Sequence, residues 1–281
     1  MQITIRKMKR LDTNTPVKKA STKNDTVFIQ SVLTHYKLHG RHDLVWRKKI
    51  SPYRILVSEI MLQQTQVSRV VPKFELWMKR YPTLSSLSKA SLSDILKLWQ
   101  GLGYQRRAKA LFEVAQTSPT IPKAYEELLT LKGIGPYTAS AVCAFAYNIF
   151  PEKLLETNIR TALIEEFHQG TTKVHDGLLY DDLNRLNYHP LVQSIGAREW
   201  YYALMDYGAH LKTLHISHNS KSAHYTKQTP YEGSARQLRA KVLFAITHHE
   251  KLPHDERLQS VIDQLTKEGY VIKKGKGYVV V

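Results

Sequence analysis

Helical periodicity over the middle of the chain is the feature that most restricts its fold. Between residues 53 and 208, Leu, Ile, Val and Ala recur at the three- and four-residue spacing of amphipathic helices. Short turns such as YPTL, GLG, TSPTIP and GIGP interrupt these stripes, and few alternating β-branched runs occur there. Residues 26–38 carry one more apolar stripe of this kind. The pattern predicts an all-α body built from many short helices.

The two ends of the chain differ from this helical middle. Residues 1–24 are polar and basic without periodicity, which predicts a flexible basic arm that contacts phosphates. Residues 214–233 are polar and contain Gly, Pro and Ser, as a linker does. Residues 234–249 and 255–269 are predicted helices, and YVIKKGKGYVVV then alternates around glycines like a β-hairpin. This order predicts a small winged-helix-like α+β module over 234–281; the alternative is a packing appendage without a DNA role.

The charge balance indicates the kind of partner. The chain has 41 Lys and Arg against 24 Asp and Glu, a formal net charge of +17, which favours a polyanion. Nucleic acid is the usual one. An anionic membrane is the competitor, but no run of 18 apolar residues occurs. One cysteine, Cys143, cannot form an internal disulfide, and the polar start does not resemble a secretory signal. We therefore expect a cytoplasmic, nucleoid-associated protein.

The stretch LLTLKGIGPYTASAVCAFA, residues 128–146, has the features of a phosphate clamp. A helix is predicted to end at Lys132, and Gly133 to Gly135 form a tight turn before Pro136 opens the next helix. Glycines allow close approach of a ligand to the backbone, and amides at a helix start bind anions. The alternative is an ordinary helical hairpin with a glycine turn.

A second stretch, residues 43–67, contains a candidate acid. Glu59 lies on a predicted helix among Leu, Val, Ile and Met side chains, which would raise its pKa and keep a proton available. Gln63 and Gln64 follow at once, and their amides suit base edges or a wedge in the space left by an extruded base. A solvated glutamate on a helix surface is the alternative.

Three stretches together resemble a known family. PYRILVSEIMLQQTQV, LWQGLGYQRRAKAL (98–111) and LLTLKGIGPYTASAV are similar to the three signature stretches of the MutY-type adenine glycosylases. That family belongs, with endonuclease III, to the helix-hairpin-helix glycosylase superfamily. The resemblance runs from about residue 46 to 208. It implies a mainly α fold with a two-lobed helical core over 25–213.

The lobes that the resemblance implies are a six-helix barrel over about 53–155 and a second lobe formed by 25–52 and 156–213. The chemistry that it implies is extrusion of a base from a duplex and hydrolysis of its N-glycosidic bond.

The resemblance also implies roles for individual residues of this sequence. Glu59 matches the family's general acid, and Tyr137 stands where bifunctional relatives carry a Schiff-base lysine, which favours a monofunctional hydrolase. Trp46 and Arg47 match a pair near the flipped base, and we add Asp206 to this base pocket. The predicted DNA-binding residues are Gln63, Gln64, Tyr104, Arg106, Lys132, Gly133 and Gly135.

The sequence departs from the family in three places. In LLETNIRTAL (154–163), Glu156 falls on a catalytic aspartate and Asn158 on an asparagine, so the carboxylate is one methylene longer. We predict that both residues are catalytic; the alternative for Glu156 is a cap of the helix 159–167. No cysteine follows LMDYGAHLK, where the family holds an iron–sulfur cluster. The tail is also too short for the family's 8-oxoguanine-sensing domain.

Histidines occupy the region of the missing cluster. His210, His215, His218 and His224 have a spacing in which a zinc site is conceivable. A solvated, histidine-rich linker is the favoured interpretation, and we expect neither metal nor cofactor.

The leading hypothesis is a monofunctional DNA glycosylase of base excision repair that acts on adenine in a mismatch. It is expected to be a monomer that binds double-stranded DNA and no membrane. Alternatives are excision of uracil, thymine or a modified purine, and a catalytically inert DNA-binding protein. A bifunctional lyase is disfavoured by Tyr137.

Overall fold

A computed structural model describes residues 23–223, 230–275 and 277–281. Within these ranges the chain forms fourteen α-helices and one antiparallel pair of strands. The first twelve helices are α1 (Lys23–His39), α2 (Val45–Lys48), α3 (Pro52–Leu62), α4 (Val67–Arg80), α5 (Leu84–Ser88), α6 (Leu92–Trp99), α7 (Arg106–Thr117), α8 (Tyr125–Thr130), α9 (Pro136–Tyr147), α10 (Thr157–Phe167), α11 (Asp176–Asn187) and α12 (Pro190–Thr213). The remaining elements are α13 (Ala235–His248), α14 (Leu258–Lys267), β1 (Val271–Lys274) and β2 (Gly277–Val280). The predicted mainly helical fold is confirmed.

Helix α9 is the central element of the core. Its sequence PYTASAVCAFAY is apolar on every side, so the helix must be surrounded, and residues 138–145 are all buried. Pro136 fits its first turn, and Asn148 ends it in the left-handed conformation at φ 58°. It packs against α3, α8 and α12. Because α3 and α9 lie side by side, residues from two distant sequence stretches meet at one site.

The second lobe is built around the long helix α12, which packs against α1 and α10. At Gly208 the helices approach so closely that a Cβ atom would collide with the backbone of Asn158. Gly196, at φ 82°, breaks the helical path after the first turns of α12. The glycine at 208 therefore allows the start of α10 to lie against α12.

Residues 234–281, named the C-terminal unit here, have the predicted order of helix, helix and β-hairpin. In the hairpin Val271 pairs with Val280 and Lys274 with Gly277. The unit packs on the core through α13 and α6, and Lys109 donates to the carbonyl oxygens of Glu268 and Gly269. Whether it acts as a winged helix stays a prediction.

Several boundaries differ from those expected. Residues 23 and 24 of the predicted basic arm belong to helix α1, and the rest of the arm lies outside the described residues. Helix α8 ends at Thr130, two residues before Lys132. The range 53–155 contains the seven helices α3 to α9 rather than six.

The first part of the predicted linker is attached to the second lobe. Val174 donates to the carbonyl of Lys221 at 2.8 Å and accepts from Ala223 at 3.0 Å. This pairing gives hydrogen-bond partners within the protein to backbone groups of the linker, which its polar composition suggested would bind water. No helix in the described ranges is long and apolar enough to cross a membrane.

Candidate active site

A central cleft of about 930 Å³ lies between the two lobes. Helices α2, α3, α4, α7, α9, α10 and α12 and the loops beside them supply its wall. Eleven of the fourteen predicted site residues line it: Trp46, Arg47, Glu59, Gln63, Gln64, Tyr104, Arg106, Gly135, Tyr137, Glu156 and Asn158. The other three, Lys132, Gly133 and Asp206, lie elsewhere.

Glu59 is the buried acid of the central cleft. Its side chain lies on α3, is only 7% exposed, and accepts a hydrogen bond from the Tyr137 hydroxyl at 3.3 Å. The pKa of Glu59 is raised to about 7, chiefly by burial; the Tyr137 hydrogen bond and Arg47 lower it, and the charge of Glu156 adds to the rise. The rise in pKa that the apolar neighbours predicted is present. A carboxyl group with this pKa still carries a proton near neutral pH.

Tyr137 connects the acid to the helix-hairpin stretch. It follows Pro136 in the first turn of α9 and donates to Glu59. Burial raises the pKa of Tyr137 well above 10, and the nearby charges of Glu59 and Glu156 raise it too. The phenol therefore stays protonated and acts as a donor, which fixes the direction of the hydrogen bond.

Glu156 is the N-cap of α10. Its Oε1 accepts from the amides of Asn158 at 2.7 Å and Ile159 at 2.8 Å. Glu156 therefore caps α10, as the alternative interpretation predicted. It also lines the central cleft. Negative charge at a helix N-terminus interacts favourably with the helix dipole. Because two amides bind the Glu156 carboxylate, its position and orientation are fixed.

Asn158 has a partner that the sequence did not suggest. Its Oδ1 accepts from Lys212 Nζ at 2.6 Å, and the same ammonium donates to Thr157 Oγ1 at 3.2 Å. Burial lowers the pKa of Lys212 and the charge of Glu156 raises it. Lys212 therefore orients the Asn158 amide at the rim of the cleft.

Asp206 does not line the cleft, contrary to its assignment to the base pocket. It is buried behind Arg47, whose Nη1 and Nη2 donate to its two oxygens at 2.7 and 3.0 Å. Arg41 adds its backbone amide and side chain to the same carboxylate at 2.8 and 2.7 Å. The two arginines hold the pKa of Asp206 below its usual value, although burial alone would raise it. Asp206 is therefore the anchor of Arg47.

The residues predicted to enter the duplex lie on two strained loops. Gln63 donates through Nε2 to Thr138 Oγ1 at 3.1 Å, which fixes its amide beside α9. Gln64 and Tyr104 have φ of 54° and 46°, in the left-handed region that non-glycine residues rarely adopt. Arg236 of the C-terminal unit donates to the Tyr104 hydroxyl at 3.0 Å.

The glycine turn and Lys132 face a second cavity of about 630 Å³, named the hairpin cavity. Gly133 has φ 82°, and a Cβ atom there would lie 2.5 Å from Ala110 Cβ, so the turn requires glycine. Lys132 is exposed and pairs with Glu113 at 2.9 Å. Lys267, Glu268 and Tyr270 of the C-terminal unit form the opposite side.

Sequence reasoning missed Arg41, Tyr202 and Lys212. The Tyr202 ring lines the cleft and lies 4.0 Å from the Arg47 guanidinium, measured to the ring centroid. Each of these residues comes from a stretch where basic and aromatic side chains are common. Their roles depend on contacts across 54 to 165 positions of sequence, which local patterns do not encode.

The residues present do not fit a four-cysteine cluster. Cys143, the one cysteine of the chain, is buried in α9. In the region expected for the cluster, His218 pairs with Glu165, and His210 stacks on His35 at 4.5 Å. Within the described ranges no group of three or more His, Cys, Asp or Glu side chains could hold a metal ion. His224 lies outside those ranges.

Fold, glycine turn and cleft define a helix-hairpin-helix protein. Residues 57–233 match the family model of the "HhH-GPD superfamily base excision DNA repair protein". The chain belongs to this superfamily, as the three stretches predicted.

Curated relatives carry the name adenine DNA glycosylase. The Mycobacterium tuberculosis (strain ATCC 25618 / H37Rv) protein is 34% identical over 235 residues, which is 76% of each chain. The Mycolicibacterium smegmatis protein is 44% identical over 136 residues, 46% of each chain. The Buchnera aphidicola (subsp. Baizongia pistaciae) protein is 36% identical over 191 residues, 65% of this chain and 52% of its own. The chain thus spans about half the length of the last two relatives.

Solved structures share the fold. A thermostable thymine-DNA glycosylase has a TM-score of 0.55 and 24% identity, covering 66% of this chain and 87% of its own. Endonuclease III in a trapped covalent DNA complex has a TM-score of 0.52 and 15% identity, covering 78% and 96%. At sequence identities this low, the similarity supports a shared fold and not a shared function.

Proposed function

We propose that the chain is a monofunctional DNA glycosylase that extrudes adenine from a mismatched duplex and hydrolyses its N-glycosidic bond. The observation that carries the proposal is Glu59: a buried carboxyl group with a pKa of about 7, in a cleft that also presents the Glu156 carboxylate. A pair of carboxyl groups with different surroundings is the usual basis of an acid and a charge stabiliser. The relatives named adenine DNA glycosylase support adenine as the base.

The chemistry assigns one step to each carboxyl group. Glu59 gives its proton to a ring nitrogen of the base while the bond from C1′ to the base nitrogen breaks, and the electron pair leaves with the base. The sugar then carries positive charge, which the fixed negative charge of Glu156 stabilises. Water adds to C1′, and the proton that it releases restores the acid. The Tyr137 hydroxyl holds the Glu59 carboxyl group in place during the transfer.

Hydrolysis without strand cleavage is the proposed outcome. Tyr137 stands in the first turn of α9, and its phenol is not a Schiff-base nucleophile. Of the described residues that line the cleft, none is a lysine, and Lys212 at its rim donates to Asn158 and Thr157. Lys132, which is nearby in sequence, turns away to Glu113. An abasic site on an intact strand is therefore the expected product.

Double-stranded DNA is the proposed partner, bound by a monomer in the cytoplasm. The amide-bearing glycine turn, Arg106 and the loops of Gln64 and Tyr104 all face the central cleft or the hairpin cavity. Amides and guanidinium groups are standard phosphate ligands, whereas the loops provide side chains that enter the base stack. The net charge of +17 supports binding to a polyanion.

A panel of duplexes tests the function. Each mismatch, uracil and common damaged purines are incubated with the protein, and strands are resolved with and without alkali, with Glu59→Gln as the matched inactive control. We expect adenine release from a mismatch, strand breaks only after alkali, and at least a hundredfold slower release by Glu59→Gln with duplex binding retained. Release of another base would overturn the substrate, and breaks without alkali would overturn the monofunctional assignment. Duplex binding without release of any base would favour an inert DNA-binding protein.

A further inference from the structure

Arg107 is a buried cation that binds backbone oxygens instead of a carboxylate. It is 5% exposed, and no carboxylate among the described residues forms an ion pair with it. Burial lowers the pKa of Arg107 to about 10, so the guanidinium remains charged at neutral pH. Burying an unpaired charge is costly unless hydrogen bonds satisfy it. The oxygens that bind its two amino groups, Nη1 and Nη2, therefore identify what the residue holds.

These oxygens belong to two separate segments. Arg107 Nη1 donates to the carbonyls at the end of α3, those of Ile60 at 2.9 Å, Met61 at 3.0 Å and Gln63 at 2.6 Å. Carbonyls at a helix C-terminus lack intrahelical partners and favour a cation.

The other amino group binds the second segment. Arg107 Nη2 donates to the carbonyls of Leu102 at 2.7 Å and Gly103 at 3.1 Å, and to Thr65 Oγ1 at 3.1 Å. Thr65 Oγ1 is itself 3.3 Å from the Leu102 carbonyl. The loop 63–65 and the loop 102–104 are thus joined by one guanidinium and one hydroxyl.

We propose that Arg107 is a positioning residue that holds these two loops as one rigid wedge for the DNA duplex. The proposal rests on the proposed function and adds to it the device that makes base extrusion possible. Each loop carries one residue with a strained backbone, Gln64 or Tyr104, and both residues line the central cleft. Strain of this kind persists only where the surrounding structure enforces it.

Rigidity matters because extrusion itself consumes free energy. Separating stacked bases costs a few kcal/mol, and a loop that must also be ordered on binding adds its own entropic cost. Loops preformed by Arg107 avoid that second cost. Loss of Arg107 should therefore impair extrusion, while the proton transfer from Glu59 and the phosphate contacts remain.

The variant Arg107→Lys keeps the charge and weakens the link, because an ammonium has three donors against the five of a guanidinium. In the free protein, amide hydrogen exchange is expected to accelerate together in residues 63–65 and 102–104 and to stay unchanged in α9. Arg198→Lys is the matched control, since Arg198 binds the carbonyls of Phe145 and Ala146 at the end of α9. If Arg107→Lys does not fold, Thr65→Val is used instead, because it removes the hydroxyl that links Arg107 to the Leu102 carbonyl, and smaller changes of the same sign are expected.

Two duplexes then separate extrusion from chemistry. On adenine opposite guanine, Arg107→Lys is expected to be at least tenfold slower in single turnover. On adenine opposite a tetrahydrofuran abasic analogue, where extrusion is easy, its rate is expected within threefold of the parent. In the Glu59→Gln background, 2-aminopurine at the target position should become less fluorescent when Arg107→Lys is added, because less of the base is unstacked.

Equal slowing on both duplexes, or exchange that accelerates throughout the core, would reduce Arg107 to a structural residue and overturn the proposal. Unchanged exchange in either loop would overturn it as well. Failure of the glycosylase function is distinguishable, because the parent protein would then release no base while exchange and fluorescence still report on Arg107.

Discussion

Glu59 and Glu156 share one cleft but meet opposite surroundings. Glu59 is buried and accepts a hydrogen bond from the Tyr137 phenol, and its burial favours the protonated form. Glu156 instead accepts hydrogen bonds from two backbone amides at the start of α10. Two residues of one chemical type are thus placed in the different surroundings that the two proposed catalytic roles need.

The pKa of Glu59 predicts how excision depends on pH. The pKa is raised from 4.5 to about 7, and the proposed mechanism requires the protonated form. The rate should therefore be level below pH 7 and should fall about tenfold for each unit of pH above it. Single-turnover rates from pH 5.5 to 9, at saturating protein, measure this.

A control for the pH profile is the melting temperature at each pH, which shows that the protein remains folded. A rate that rises through pH 7, or stays level to pH 9, would exclude Glu59 as the acid.

At the scale of elements, the N-terminus of α10 combines a cap with an electrostatic role. Glu156→Gln keeps an oxygen that can accept from the amides but removes the charge. We expect a loss of about 1 kcal/mol of stability, typical of a weakened cap. The rate should fall at least a hundredfold, as loss of an electrostatic stabiliser requires.

Ser91→Ala is the matched variant for this prediction, because Ser91 caps α6 by accepting from Asp94 N at 3.1 Å and does not line the cleft. It should lose similar stability and keep full activity. Denaturant unfolding and single-turnover excision compare the two variants. A Glu156→Gln protein that is as active as the parent would remove Glu156 from the reaction.

The helices were easier to predict from the sequence than the loops that join them. Apolar periodicity and Gly–Pro punctuation located the helices, because these signals are local. The left-handed backbone of Gln64 and Tyr104 was not predictable, since neither is glycine and the Arg107 contacts that hold both come from α7. Asp206 was predicted to line the base pocket, but it lies behind Arg47 and not in the cleft wall. Sequence spacing does not distinguish a residue that lines a cleft from the residue behind it.

At the scale of the whole molecule, the C-terminal unit extends the charged surface beside the glycine turn. Lys267 is exposed at the hairpin cavity opposite Lys132. If duplex DNA follows this side, Lys267→Gln should weaken binding several-fold. It should also make the slope of log affinity against log salt less negative by about 0.9, the value of one phosphate contact.

Lys251→Gln is the control, because Lys251 is also exposed, lies in the loop between α13 and α14, and does not line the cavity. Fluorescence anisotropy from 50 to 300 mM salt gives both slopes. Identical slopes for the parent and both variants would make the C-terminal unit a packing appendage.

The anchoring of two arginines by Asp206 limits how this sequence can drift over evolutionary time. Losing the carboxylate would leave Arg47 and Arg41 without their shared counter-charge, a defect of about 3–5 kcal/mol for a buried pair. Selection is therefore expected to reject single replacements at these positions and to accept them in concert. Positions 47 and 206, 159 residues apart, should then vary together among descendants of this chain.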